Sequence, residues 1–278
     1  MGKFDGVLFA SDFDGTLASA PQDKHYDISI SPQNRRAIEA FTAEGGIFVV
    51  ASGRGHVSFR DFASLVPFNG PCIFANGAEI YDFTQEKTIK AFPLPPSTRG
   101  HLAELLDCLP SLALEFYCPN DQLFIVHPNH ISRSHLAMLN IDYAQGELAD
   151  VPETDWYKVL IEQEHGLLAQ AKDLINSRWG EDYECVFSHS VLLELNAKGA
   201  SKGNSVLWLA DHLGIEHSNI YCMGDNENDL SMLQISTIPF APENAVSTVK
   251  ALPGLHLTPH HNDHAVAAAL AELEQIYS

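Results

Sequence analysis

Basic residues are scarce in this chain. Only 16 lysines and arginines stand against 36 aspartates and glutamates, giving a formal charge of −20. That balance argues against DNA or RNA as a partner, because a phosphate backbone is held by a basic surface. Small anions are repelled too, although salt screening confines that repulsion to about 8 Å, so any phosphate site must be locally positive. Cysteine is sparse as well: Cys72, Cys108, Cys118, Cys185 and Cys222 are odd in number and contain no Cys-x-x-Cys. Neither a disulfide framework nor a thiolate zinc site is indicated, and buried free thiols are expected. No apolar run approaches the ~18 residues of a membrane span. The N-terminus lacks the extended apolar stretch of a signal peptide, and Gly6 stands where a myristoylation signal requires Ser or Thr. A soluble, cytoplasmic protein is the expectation. Repeats and low-complexity tracts are missing, and 45% hydrophobic content over 278 residues allows one large or two moderate domains with a sizeable core.

Against this background one pentapeptide stands out. Asp12-Phe13-Asp14-Gly15-Thr16 follows Val7-Leu8-Phe9-Ala10, which reads as a buried strand. Two acids two residues apart therefore leave the carboxyl end of that strand on one side, before Gly15-Thr16 turns the chain. Like charges so close need a cation or a shared proton between them. Three later segments have the same placement. Ile47 to Ala51 is a second apolar run, ending in Ser52-Gly53-Arg54. Ser201-Lys202-Gly203 opens a helix that carries Val206, Leu207, Leu209 and Leu213 and stops at Gly214. Ile220 to Met223 leads into Gly224-Asp225-Asn226-Glu227-Asn228-Asp229. Open α/β sheets bind ligands at such strand ends.

The alternation of strands 7–11, 47–51 and 72–75 with helices 32–44 and 57–65 predicts a parallel sheet with helical crossovers; Ser31 and Pro32 mark the first helix start. A different rhythm begins near Phe83. Helix 98–108, strands 112–118 and 123–128, helix 131–139, strand 157–163, helix 165–178 and a hairpin of 183–188 with 191–196 read as an α+β insertion. The expected domains are a discontinuous α/β core, 1–83 plus 198–278, and an inserted unit, 84–197.

These motifs, in this order, resemble the haloacid dehalogenase superfamily, and in particular its Cof-type sugar-phosphate phosphatases with a C2-type cap; the similarity covers the whole chain. The resemblance implies a Rossmann-like core and a cap over the active site that selects the substrate. It implies a Mg2+-dependent phosphatase of small phosphorylated metabolites, such as sugar phosphates, working through an aspartyl-phosphate. Asp12 is then the nucleophile, and Asp14 the acid and base that protonates the leaving oxygen and deprotonates water. Ser52 binds a phosphoryl oxygen and Lys202 neutralises its charge. Lys198-Gly199 competes for that last role, but Lys202 begins the helix, where the family places its lysine. The implied Mg2+ ligands are Asp12, the Asp14 backbone carbonyl and Asp225, with Asp229 and Asn228 orienting or completing that shell. Helix N-capping by Asn226 or Asp225 is the plainer reading of the same segment. Thr16, Gly53, Arg54, Asn76 and Asn228 are the further substrate-contact candidates. For Thr16 a turn brace, and for Arg54 and Asn76 a solvated arginine and a turn asparagine, are the plainer readings.

His256, His260, His261 and His264 match no standard ligand spacing, and Asn262-Asp263 reads as the cap of a last helix, 265–276. In the insertion, His127, His130, His189, Phe116, Tyr117, Phe124 and Trp156 are candidates for a pocket wall, with core packing as the default. A phosphotransferase or mutase would use the same residues. A phospho-accepting receiver or a phosphate-binding regulator is the rival from another class, although receivers carry their aspartate on the third strand. A monomer or weak homodimer is expected.

Overall fold

The structure is a computed structural model and describes residues 2–19, 28–119, 122–139 and 142–278. A five-stranded parallel sheet runs in the order β14 (His256–Thr258), β13 (Pro239–Pro242), β12 (Ile220–Met223), β1 (Leu8–Ser11) and β2 (Ile47–Val50). Strand β1, paired on both sides, is apolar because both of its faces are covered: Leu8, Phe9 and Ala10 are wholly buried. Phe9 stacks on Phe48, ring centroids 5.6 Å apart. Register decides where the strand ends fall. Ser11 pairs with Met223 on one side and Val50 on the other, so Asp12, Ser52 and Asp225 all emerge at one edge.

Helix Pro32–Ala43 starts as the sequence predicts, with Ser31 Oγ accepting the Asn34 N–H. Helix Lys202–Leu213 is capped likewise by Ser201 and ends at Gly214, whose φ of +69° favours glycine. The last helix, Ala265–Ile276, has the expected bounds but a different cap. Asn262 and Asp263 belong to a 3-10 turn, and His264 occupies the N-cap position in a left-handed conformation. Asn34 of the first helix instead accepts the Ala267 N–H.

Antiparallel pairing begins sooner than expected. β3 (Cys72–Phe74) meets the first sheet in parallel, through a bridge between Ala51 and Ile73 and a Ser52 N–H donated to the Ile73 carbonyl. It pairs antiparallel with β4 (Glu79–Asp82), which pairs with β5 (Lys87–Ala91). Ile89 still packs against the first core, whereas Phe92 and Leu94 join a second one. That second core lies under a six-stranded sheet of order β10 (Tyr183–His189), β11 (Leu192–Ala197), β9 (Lys158–Glu162), β6 (Ala113–Tyr117), β7 (Leu123–Val126) and β8 (Tyr143–Gly146). Helices Thr98–Cys108 and His165–Trp179 supply Leu102, Leu105, Leu168 and Ile175 to it. Among the described residues no helix is long and apolar enough to cross a membrane.

Asn34 is fully buried and also donates to the Leu17 carbonyl. Replacing it by alanine strands that carbonyl and the Ala267 N–H, so Asn34→Ala should lose about 1–3 kcal/mol in urea unfolding. A loss below a few tenths of a kcal/mol would show that the link carries no load.

Candidate active site

The sheet edge gathers one ammonium and three carboxylates. Lys202 Nζ lies 2.7 Å from Asp12 Oδ1 and 2.6 Å from Asp229 Oδ1, and its side chain has no solvent exposure. Asp12, Asp225 and Asp229 each offer a carboxylate oxygen within 4.8 Å of the others. Each is positioned locally. The Asp12 N–H donates to the Met223 carbonyl across the β1–β12 seam. Asp229 Oδ2 accepts the N–H groups of Asp225 and Asn226, at 2.9 and 3.0 Å, while Asn226 Oδ1 accepts from Glu227. N-capping is thus the work of Asn226 and Asp229, which leaves Asp225 facing Asp12. Thr16 Oγ1 donates to Asp225 Oδ1 at 2.9 Å rather than bracing its own turn. Gly15 has φ +77°, and a Cβ there would stand 2.8 Å from Asp225 Oδ2, so only glycine lets the Asp12 turn approach so closely.

Burial, with Asp229 adding to it, raises the Asp12 carboxyl well above its ordinary range despite Lys202. Burial and Asp229 also push Asp225 up to about 6, against the Thr16 bond. For Lys202, burial pulls the other way but Asp12 and Asp229 outweigh it, and the ammonium stays protonated. Ionised, three carboxylates and one ammonium leave two negative charges. The donors are all oxygen. Charge and donor type together fit one hard divalent cation such as Mg2+. Asp12 and Asp225 are the side chains free to hold it, since Asp229 is committed to Lys202 and to backbone N–H groups.

The other sequence candidates divide. Asp14 is half-exposed, and Arg54 grips it with two bonds of 2.7 Å, Nε to Oδ2 and Nη2 to Oδ1. The guanidinium also lies over Phe62, 5.0 Å from the ring centre. Burial lowers the Arg54 pKa, but the bond to Asp14 outweighs it and the net shift is upward. Ser52 is buried, its Oγ accepting the Arg54 N–H. Asn76, at φ 56°, accepts from Asn228 Nδ2. Lys198 sits apart, 3.4 Å from Glu184. In the C-terminal histidine segment, His256 bonds Glu272 and the rings of His260 and His261 adjoin; no metal-ligating group is found there among the described residues.

A cavity of about 690 Å³ opens above this edge, bordered by Asp12, Asp14, Gly53, Arg54, Asp225 and Asn228. Its far wall is the six-stranded sheet, with Tyr117, Lys158, Leu160, Leu192 and Glu194, joined by His130, His135 and His189. Phe116, Phe124 and Trp156 instead pack in the second core, and His127 faces Glu147. His135, Leu160, Leu192 and Glu194 escaped the sequence reading, as did Lys158 and Asn244. Lys158 Nζ donates to the Gly53 carbonyl and pairs with Glu194, each at 2.8 Å; a lysine just before the apolar run Val159-Leu160-Ile161 was the available signal. Asn244 Nδ2 holds the Gly15 carbonyl at 2.8 Å from a loop whose sequence signal is only an asparagine after a short strand.

The sequence profile of the haloacid dehalogenase-like hydrolases matches residues 9–270. Over 281 residues the chain is 29% identical to YxeH of Bacillus subtilis (strain 168), covering 96% of this chain and 97% of the other. It is 25% identical over 255 residues to the pyridoxal phosphate phosphatase YbhA of Escherichia coli (strain K12), covering 88% and 90%. The fold superposes on that of the HAD subclass IIB sugar phosphatase BT4131 with a TM-score of 0.80 at 19% identity, covering 96% and 99%.

Lys202→Met leaves Asp12 and Asp229 buried without their counter-charge, and in chelator it should destabilise the protein by about 3–5 kcal/mol. Adding Asp229→Asn should recover part of that loss in a double-mutant cycle. Strict additivity of the two changes in denaturant titrations would contradict the pairing.

Proposed function

Because the chain belongs to the haloacid dehalogenase-like hydrolases and is a phosphoric monoester hydrolase, we propose that it hydrolyses small phosphorylated metabolites, sugar phosphates among them, through an aspartyl-phosphate on Asp12 with Mg2+ as cofactor. The observation that carries this reading is the approach of Asp12 to Lys202 and Asp225 at one sheet edge, beneath a cavity of metabolite size. Bound Mg2+ would supply charge neutralisation between the Asp12 carboxylate and the phosphoryl oxygens.

In this mechanism the free carboxylate oxygen of Asp12 attacks phosphorus while the bond to the leaving oxygen breaks. Lys202 holds Asp12 Oδ1 and orients the carboxylate. Asp14 gives its proton to the leaving oxygen, then takes one from the water that attacks the phosphorus and frees Asp12. Arg54 now occupies both Asp14 oxygens. A dianionic phosphoryl group entering the cavity competes for that guanidinium, and the exchange releases Asp14 for proton transfer as it secures the substrate. The six-stranded unit serves as a cap: Tyr117, Leu160 and Leu192 present apolar surface to the leaving group, and Lys158 with Glu194 present polar surface. The cap excludes water from the reacting centre.

A panel of phosphomonoesters assayed with and without Mg2+ tests the reading. Turnover should vanish in chelator and return with Mg2+. Asp12→Asn should lower kcat by on the order of 10^4-fold or more with the circular dichroism spectrum unchanged; wild-type rates in that variant would refute the assignment of the nucleophile. Leu192→Trp, which fills the cap side of the cavity, should change the order of preferred esters while acid-quenched protein still carries the phosphoryl group. An unaltered substrate order would remove the cap from specificity.

A further inference from the structure

Two fully buried glutamates lie outside this machinery. Glu115 on β6 and Glu162 on β9 share one face of the six-stranded sheet, because Glu115 stands opposite Leu160 and Ala113 opposite Glu162, which makes the two acids diagonal neighbours. From helix His130–Leu139, His135 turns Nδ1 toward both, 3.2 Å from Glu115 Oε2 and 3.0 Å from Glu162 Oε1. One ring N–H cannot serve two carboxylates fully. Glu115 Oε1 and both oxygens of Glu162 meet no hydrogen-bond partner although they are buried. Lys158, the cation on the same strand, is committed to Glu194 and the Gly53 carbonyl. Two buried carboxylates with so little compensation are unfavourable.

The spacing suits a ligand that would remove this deficit. A cation about 2.0–2.2 Å from nitrogen and oxygen donors sets tetrahedral edges of roughly 3.3 Å. The two separations from His135 Nδ1 are of that size. An oxygen of each glutamate and the ring nitrogen all lie within 4.8 Å of one another. His135 borders the cavity, which gives an ion a route of entry and a side for an added water or substrate oxygen. We propose that Glu115, His135 and Glu162 form a second cation site, distinct from the Asp12 cluster, that takes one divalent transition-metal ion of the Zn2+ or Mn2+ class. One imidazole with two carboxylates favours such ions over Mg2+, which prefers an all-oxygen octahedron. Protons are the competitor. Burial pushes Glu162 up to about 7, and for His135 the bonds to both glutamates outweigh burial and carry it to about 10, so the ion enters by displacing protons.

The test uses the full chain stripped with chelator and then held in excess Mg2+ to fill the Asp12 cluster. Equilibrium dialysis with Zn2+, read by elemental analysis, should give one Zn2+ per chain, and Co2+ in its place should show the intense visible bands of a low-coordinate N/O site. Zn2+ should raise the thermal midpoint of the wild type. His135→Gln and Glu162→Gln should each weaken Zn2+ binding at least 10-fold and abolish that rise; circular dichroism identifies a folded variant, and Glu162→Gln, which keeps shape and removes charge, decides if His135→Gln does not fold. Asp12→Asn should bind Zn2+ as the wild type does. No Zn2+ bound in the presence of Mg2+, equal affinity in Glu162→Gln, or loss of binding in Asp12→Asn would each overturn the proposal.

Discussion

One buried ammonium among three carboxylates sets the terms for the rest of this molecule. Lys202 has no access to water, so its charge is tolerated only because Asp12 and Asp229 lie within hydrogen-bond distance. Those acids in turn stay close because the backbone leaves them no alternative. The β1–β12 register fixes Asp12, two N–H groups fix Asp229, and the glycine at position 15 makes room for Asp225. With these acids ionised, residual negative charge at the cavity floor is therefore built in, and its oxygen donors suit a hard cation.

Much of this was legible in the sequence because its signals are local. Four apolar residues before Asp12 place that acid beyond a buried strand, and the Ser201 cap places Lys202 on the first turn of a helix. Antiparallel pairing begins ahead of Phe83 because the chain turns back at once after β3: Asn76 and Gly77 adopt positive φ, and Glu79 pairs with Phe74. The illegible part depends on meetings between distant segments. Nothing in the neighbourhood of Arg54 announces that it will clasp Asp14, and nothing near Lys158 announces the Gly53 carbonyl, 105 positions away. Glu115 stands between Leu114 and Phe116, and Glu162 closes an apolar run ahead of Gln163, as surface residues would. Only the helix laid over that face turns them inward.

The cavity consequently has two walls of different origin. Its floor is made of backbone-held groups at the ends of parallel strands, a rigid arrangement suited to chemistry. Its roof is one face of a largely antiparallel sheet bearing Tyr117, Leu160, Leu192, Lys158 and Glu194, of which Tyr117, Leu160 and Leu192 can be exchanged without breaking a polar link to the floor. Among the bonds that tie roof to floor are Lys158 to Gly53, Asn196 to Ala75 and Asn226 to Ser188. Each joins a side chain to a backbone carbonyl, so the join depends little on which residue supplies the acceptor.

The position of β1 has a consequence for biogenesis. Its neighbours in the central sheet are β2, about forty residues on, and β12, more than two hundred residues on. A ribosome therefore releases the whole six-stranded unit, with its near-local pairings, before the segment that completes the first sheet exists. Until then Leu8 to Ser11 presents an open hydrogen-bonding edge, with Phe9 still lacking Phe240. Assembly of this protein must end with its tail closing over its head, and the slow, long-range step is the one that brings the acid at position 225 to the acid at position 12.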